Sequence, residues 1–212
     1  MAIRGTATFI QRGGYIFRVE AKLSFGNGSG PDILAIGLNP GSCQLEDPYE
    51  WEVLEGLENQ KITGKIKLDR TMNHMKEIIL EADPSFQGTI RIYNLINYRN
   101  GNLSEALTIY KQMKQRQEFL FELETDFANL LQRDVCSFIW LGWSYEKNSM
   151  LNRRKQQVMD DIIRSQKPII AKYHNDKPFN VHVGHFSPQL VSKAKEYRSY
   201  IVPQIRSALN FK

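Results

Sequence analysis

Cysteine is scarce in the 212-residue chain: only Cys43 and Cys136 occur, far apart and outside any CxxC pattern. That excludes a disulfide framework and an iron–sulfur cluster held by this chain alone. Long apolar runs are missing too. No stretch approaches the roughly 18 residues that span a bilayer, and the opening MAIRGTATFIQRGG has no signal-peptide core. A cytoplasmic protein without membrane contact is therefore expected. The four histidines (His74, His174, His182 and His185) form neither HExxH nor HxH. In an extended segment, His182 and His185 would point to opposite faces, so no metal site is expected. GxxxxGK[ST] and GxGxxG are absent, and GLNPGS is only superficially like a phosphate loop. GxSxG is absent as well, which removes the α/β-hydrolase elbow. No cofactor is expected.

What is present is an ordinary globular composition of a length suited to one substantial core. Net charge is +5, with basic residues grouped at Lys61/Lys65/Lys67, Lys111/Lys114/Arg116, Arg153/Arg154/Lys155 and Lys193/Lys195/Arg198. Such groups suit either solvated helix faces or a phosphate-bearing partner.

Patterning predicts a series of alternating elements. TATFIQ and YIFRVEAKL, on either side of Gly13-Gly14, read as a hairpin, giving an N-terminal extension over residues 1–30. DILAIGL is continuously apolar, as in a parallel strand buried on both faces. The segment from Gly41 to Val53 reads as a polar loop, followed by a lysine-studded stretch. Asp69 can cap a helix through MNHMKEIILEA. GTIRIYNLINYR is a second strand, Ser104 caps a helix through EALTIYKQMKQ, and another helix covers 117–132. VCSFIWLGWS, a helix over 150–166, KPIIAKY and a closing helix over 192–209, interrupted at Pro203, complete the chain. Strands alternating with helices predict one domain over 1–212, a three-layer α/β/α sandwich with a central, mostly parallel sheet. Ligands bind such sheets beyond the carboxyl ends of the strands.

The residues at those ends are Gly37-Leu38-Asn39-Pro40-Gly41, Ile92-Tyr93-Asn94-Leu95, Phe138-Ile139-Trp140-Leu141-Gly142 and His185-Phe186-Ser187-Pro188. In that order they resemble the motifs of the uracil-DNA glycosylase superfamily. GLNPG is similar to the asparagine version of its first motif, found in mismatch-specific members. IYNL resembles the strand whose last asparagine reads the edge of a flipped base. HFSPQL is similar to the loop that stabilises the leaving base and wedges the duplex, with Phe186 where a proline is usual and Gln189 where a leucine is usual. The chain also resembles a prokaryotic family of unknown activity with an Asn-Pro loop, Asp-Pro and Asn-Leu-x-x-Tyr-Arg, here Asn39-Pro40, Asp47-Pro48 and Asn94 to Arg99.

The first resemblance implies a glycosylase-like fold, a monomer, and hydrolysis of the N-glycosidic bond of a uracil, mismatched or modified pyrimidine flipped from DNA. Asn39 and His185 would be catalytic: the amide holds a water beneath the sugar, and the imidazole donates to the oxyanion forming on the base. Asn94, Pro40 and Gly41 would contact the base, with Tyr49 or Trp51 stacking on it. Ser187, Pro188, Gln189, Leu190, Lys147, Arg153 and Arg154 would contact DNA. Blander roles stay open: Asn39 as a turn former, Asn94 as a loop cap, His185 as a satisfied loop residue. Two other functions also stay open, a non-catalytic nucleic-acid or nucleotide-binding module and a hydrolase of free nucleotides.

Overall fold

The computed structural model describes residues 2–133 and 135–210. Its strands are β1 (Ile3–Arg12), β2 (Tyr15–Phe25), β3 (Asp32–Gly37), β4 (Gln44–Leu45), β5 (Lys61–Lys67), β6 (Gly88–Asn94), β7 (Phe138–Leu141) and β8 (Ile169–Ile170). Its helices are α1 (Pro48–Gly56), α2 (Arg70–Ala82), α3 (Leu103–Gln115), α4 (Leu120–Leu123), α5 (Phe127–Arg133), α6 (Ser149–Ser165) and α7 (Val191–Asn210). The strands form one mixed sheet in the order β4-β5-β1-β2-β6-β3-β7-β8. The protein is thus of mixed α/β class.

The expectation of a mostly parallel sheet needs correction. β6, β3, β7 and β8 run parallel, whereas β4, β5, β1, β2 and their junction to β6 are antiparallel. The cause is the hairpin around Gly13-Gly14. It is built into the sheet, with β2 pairing directly to β6 through Ala21↔Ile92 and Leu23↔Ile90. The lysine-studded stretch is itself a strand, β5, with Lys61, Thr63, Lys65 and Lys67 on its exposed face.

Continuous apolarity in β3 and β7 reflects burial on both faces, and helices cover both. On one face α2 contributes Met72, Met75, Ile78 and Ile79, and α7 contributes Tyr197, Ile201 and Ile205. On the other lie Tyr110 of α3, Phe127 of α5, and Val158 and Ile162 of α6. These spacings of three and four place each helix's apolar stripe against the sheet.

Several local expectations are also corrected. Asp47 caps α1, with Pro48 in its first turn, inside what reads as a polar loop. Asn102, not Ser104, caps α3, accepting from the Ser104 and Glu105 amides. The helix expected over 117–132 is broken into α4 and α5, with Gln117 and Phe119 at φ 55° and 51°. α7 runs through Pro203, which sits on an exposed face. The carbonyl it frees belongs to Ser199, itself an exposed residue, where solvent can satisfy it. Among the described residues no helix is long and apolar enough to cross a membrane.

Candidate functional site

Beyond the carboxyl ends of the parallel strands lies a cavity of about 420 Å³. Its walls are the chain leaving β3 (Gly37 to Gly41), Asn94 at the end of β6, Ser144 and Glu146 after β7, the first turn of α2 and the loop from His185 to Gln189. β3 lies between β6 and β7, and the chain leaves β3 toward β6 on one side but leaves β7 toward β8 on the other. The cavity therefore sits at the switch point of the parallel strands, where open α/β sheets bind ligands.

Asn39, Asn94 and His185 all line this cavity, as do Pro40, Gly41, Ser187, Pro188 and Gln189. Asn39 is held by its own amide, Nδ2 donating to the Asn100 carbonyl at 2.8 Å, which leaves Oδ1 for another partner. Asn94 is buried. Its amide satisfies both neighbours when Nδ2 donates to the Asn39 carbonyl at 3.2 Å and Oδ1 accepts from Arg18 Nη2 at 3.2 Å. Room for this side chain depends on Gly37, paired beside it: a Cβ there would lie 2.9 Å from the end of the Asn94 amide.

His185 is fixed by a short backbone loop. Its Nδ1 lies 3.0 Å from both the amide and the carbonyl of Ser187. Accepting the Ser187 N–H leaves the ring proton on Nε2. Burial pushes the imidazole below its ordinary pKa, opposed by the Ser187 carbonyl, which would accept from a protonated Nδ1, and by the Asp69 charge. Phe186 anchors the loop: it is buried edge-on against Trp140, with ring centroids 5.1 Å apart, and fills the space above Gly142. His74 Nδ1 reaches the Phe186 carbonyl at 2.6 Å, and Arg70 Nη2 donates to the Gln189 carbonyl at 3.1 Å. The first turns of α2 therefore hold the histidine loop.

The segment carrying Asn39 is held in turn by Arg99, which donates to the carbonyls of Cys43 and Ser42 and lies 4.7 Å over the Trp51 ring. Tyr98 packs edge-on to Tyr15 and Phe17. In this chain the Asn-Leu-x-x-Tyr-Arg run thus ends in residues that support the loop. On the opposite wall, the buried Lys155 ammonium donates to the carbonyls of Ser144 at 2.9 Å and Glu146 at 2.7 Å. Burial lowers its pKa to about 8.

The four charged residues of the cavity, Arg18, Asp69, Arg70 and Glu146, were not among the site residues expected from sequence. Asp69 was legible only as a helix cap, and Oδ1 does accept the Met72 amide at 2.9 Å. Its second oxygen faces Gly41, 3.7 Å from where a Cβ would stand. Arg18 is the product of a β-bulge. The register passes from Thr8↔Glu20 to Phe9↔Arg18, so Val19 has no partner. Arg18 is thereby turned to the face of Phe9, Ala21 and Leu23, while Phe17 joins the other core.

Other expected site residues lie elsewhere. Tyr49 is exposed on α1, and Trp51 packs between Arg99 and Phe9, so neither reaches the cavity to stack on a ligand. Both stand on α1, outside the cavity lining. Arg154 is buried and tied to Glu124 at 3.5 Å and to the Thr125 carbonyl, so it is a structural residue. Lys147 and Arg153 are exposed and do not line the cavity. Leu190 lies just past the rim, 67% exposed, beside Val191 at 82%.

Two further hollows continue from the cavity. The first, about 490 Å³, shares Leu103 and Glu146 with it. The second, about 370 Å³, shares Lys111, Ser149 and Met150 with the first and adds Lys114 and Arg153. Together they make a groove between α3 and the start of α6 that becomes basic away from the cavity. Among the described residues no group of three His, Cys, Asp or Glu side chains is gathered as metal ligands. The chain matches no family model, no curated protein and no solved structure.

Proposed function

We propose that the protein is a DNA glycosylase of uracil-DNA-glycosylase-like fold, which hydrolyses the N-glycosidic bond of a pyrimidine flipped into this cavity. The observation that carries the reading is the meeting of Asn39, Asn94 and His185, from three different strand ends, around one space that also holds the Asp69 carboxylate.

The chemistry divides among them. The C1′–N bond breaks with its electron pair staying on the base, and positive charge builds on the sugar. Asn94 retains one amide hydrogen and one oxygen lone pair beyond its two protein contacts, a donor–acceptor pair suited to a pyrimidine edge. His185, neutral because burial lowers its pKa, donates from Nε2 to the carbonyl oxygen on which negative charge collects. Asn39 Oδ1 accepts a hydrogen bond from the attacking water. An amide cannot take its proton, and Asp69 supplies the general base. The proton passes to Asp69 and then to the released base, and the water oxygen becomes the new bond to C1′.

DNA as the substrate is supported by the surroundings of the cavity. The groove toward Lys111 and Arg153 offers cations along a strand's path, and Leu190 and Val191 expose apolar side chains at the rim, as a wedge entering a base stack requires. The test is incubation with duplex and single-stranded oligonucleotides carrying uracil, mismatched thymine or a modified pyrimidine, followed by cleavage at abasic sites. Excision of one of these bases, lost in Asp69→Asn, supports the reading. Tight binding with every base left in place favours a nucleic-acid-binding module built on the same cavity.

A further inference from the structure

Arg18 is 2% exposed, yet its Nε and Nη1 have no hydrogen-bond partner; Nη2 donates to Asn94, and the remaining polar neighbour is the Cys43 thiol. A buried guanidinium left this way is costly, because desolvation of the charge is not offset by a counter-charge. The neighbouring Cys43 does not provide one: burial pushes its thiol up, against the pull of Arg18. Nor does chance packing put the side chain there, since the bulge at Val19 is what turns it to the cavity side of the sheet.

We propose that Arg18 is the counter-charge for an anionic pyrimidine ring seated on Asn94, the form in which a base leaves a sugar. The inference rests on the glycosylase reading of the same cavity and names what the floor of the site recognises. Charge selects the ring over a phosphate. Asp69 and Glu146 line the same space, and a dianion would face both carboxylates. A singly charged, delocalised ring matches one guanidinium, and its flat edge fits the donor and acceptor left on Asn94. Arg18 then stabilises charge that is absent from the intact nucleotide, which is the condition for favouring the transition state over the substrate.

The test compares ligands differing in charge. Barbiturate is a pyrimidine ring that is anionic at neutral pH, and uracil is its neutral counterpart. Calorimetric titration of the wild type at fixed ionic strength is expected to show barbiturate bound more than about tenfold tighter than uracil, as for a charge-assisted hydrogen bond formed out of water. Arg18→Met should remove that preference while leaving the unliganded melting temperature at or above wild type, since a buried, unneutralised charge has been taken out. A residue serving only the fold would instead lower the melting temperature and leave the preference intact. Equal binding of the two rings by the wild type overturns the proposal without any variant, as does a preference that survives Arg18→Met. Inorganic phosphate binding more tightly than barbiturate overturns the ring as ligand. Base excision by a wild type that shows no preference defeats this inference and leaves the glycosylase standing. A preference without excision of any base does the reverse.

Discussion

Replacing Gly142 by alanine places one methyl group where the account of the histidine loop has none to spare. The new Cβ would stand 2.2–2.4 Å from Cδ1, Cε1 and Cγ of Phe186. Carbon atoms settle at roughly 3.5–4.0 Å, so the ring has to retreat by about 1 Å or more. It has little room, being 1% exposed and edge-on to Trp140, whose indole N–H is itself committed to the Tyr197 hydroxyl at 2.9 Å. Overpacking of this kind costs about 1–3 kcal/mol, and loosening the aromatic pair adds about 0.5–1.5 kcal/mol. A loss of about 2–4 kcal/mol is expected in urea unfolding. Because Phe186 follows His185 directly, the displacement also moves the imidazole, and misplacement of about 1 Å lowers turnover about 10²-fold. Phe186→Ala, which lacks all three colliding atoms, should relieve the clash, so the double variant is less destabilised than the sum of the single ones by at least about 1 kcal/mol. Wild-type stability of Gly142→Ala, or additivity within about 0.5 kcal/mol, would refute the packing argument.

Three other perturbations probe the walls of the site. Lys155 has a folded pKa of about 8 against an ordinary 10.5. Between those values the unfolded chain holds the extra proton, so stability should rise with pH across the window; the wild type measured against Lys155→Met isolates this slope, and a flat or falling difference contradicts it. Arg153→Ala should leave the melting temperature unchanged while reducing the salt dependence of DNA affinity by about one unit of log–log slope. Arg154→Ala should do the opposite, costing about 3 kcal/mol of stability by leaving part of the Glu124 and Thr125 cluster unpaired, with no specific effect on DNA.

Which parts of the molecule were legible in sequence follows from how burial writes itself into a chain. The parallel strands were readable because both faces are covered, which makes DILAIG and FIWL apolar at nearly every position, and the polar residues that follow mark the ends of the strands. β5 was legible in principle, since KITGKIK alternates strictly, but its lysines drew attention to charge rather than period. α1 carried a recognisable start in Asp47-Pro48, and without it Tyr49 and Trp51 were placed at the cavity they do not reach. Arg18 was hidden by the bulge: one unpaired residue at Val19 shifts the phase of the strand, and nothing in YIFRVE shows where the shift falls. Asp69 was seen for one carboxylate oxygen and missed for the other. The anchoring role of Phe186 was unreadable because it depends on the missing side chain of Gly142, distant in sequence and just past the end of β7.

The central claim is that the cavity cleaves a base from DNA through groups that act on different parts of the transition state. Single-turnover excision measured with saturating enzyme, on whichever uracil-, mismatch- or modified-pyrimidine duplex the wild type cleaves, tests it most directly. His185→Ala is expected to lower the rate constant about 10²–10³-fold, the usual effect of losing one donor to developing negative charge. Asn39→Ala and Asp69→Asn should slow the same step, and all three variants should bind intact DNA within about twofold of wild type, because the lost interactions belong to the transition state. A wild type that excises none of these bases, or variants that lose binding and rate in equal measure, would contradict the account.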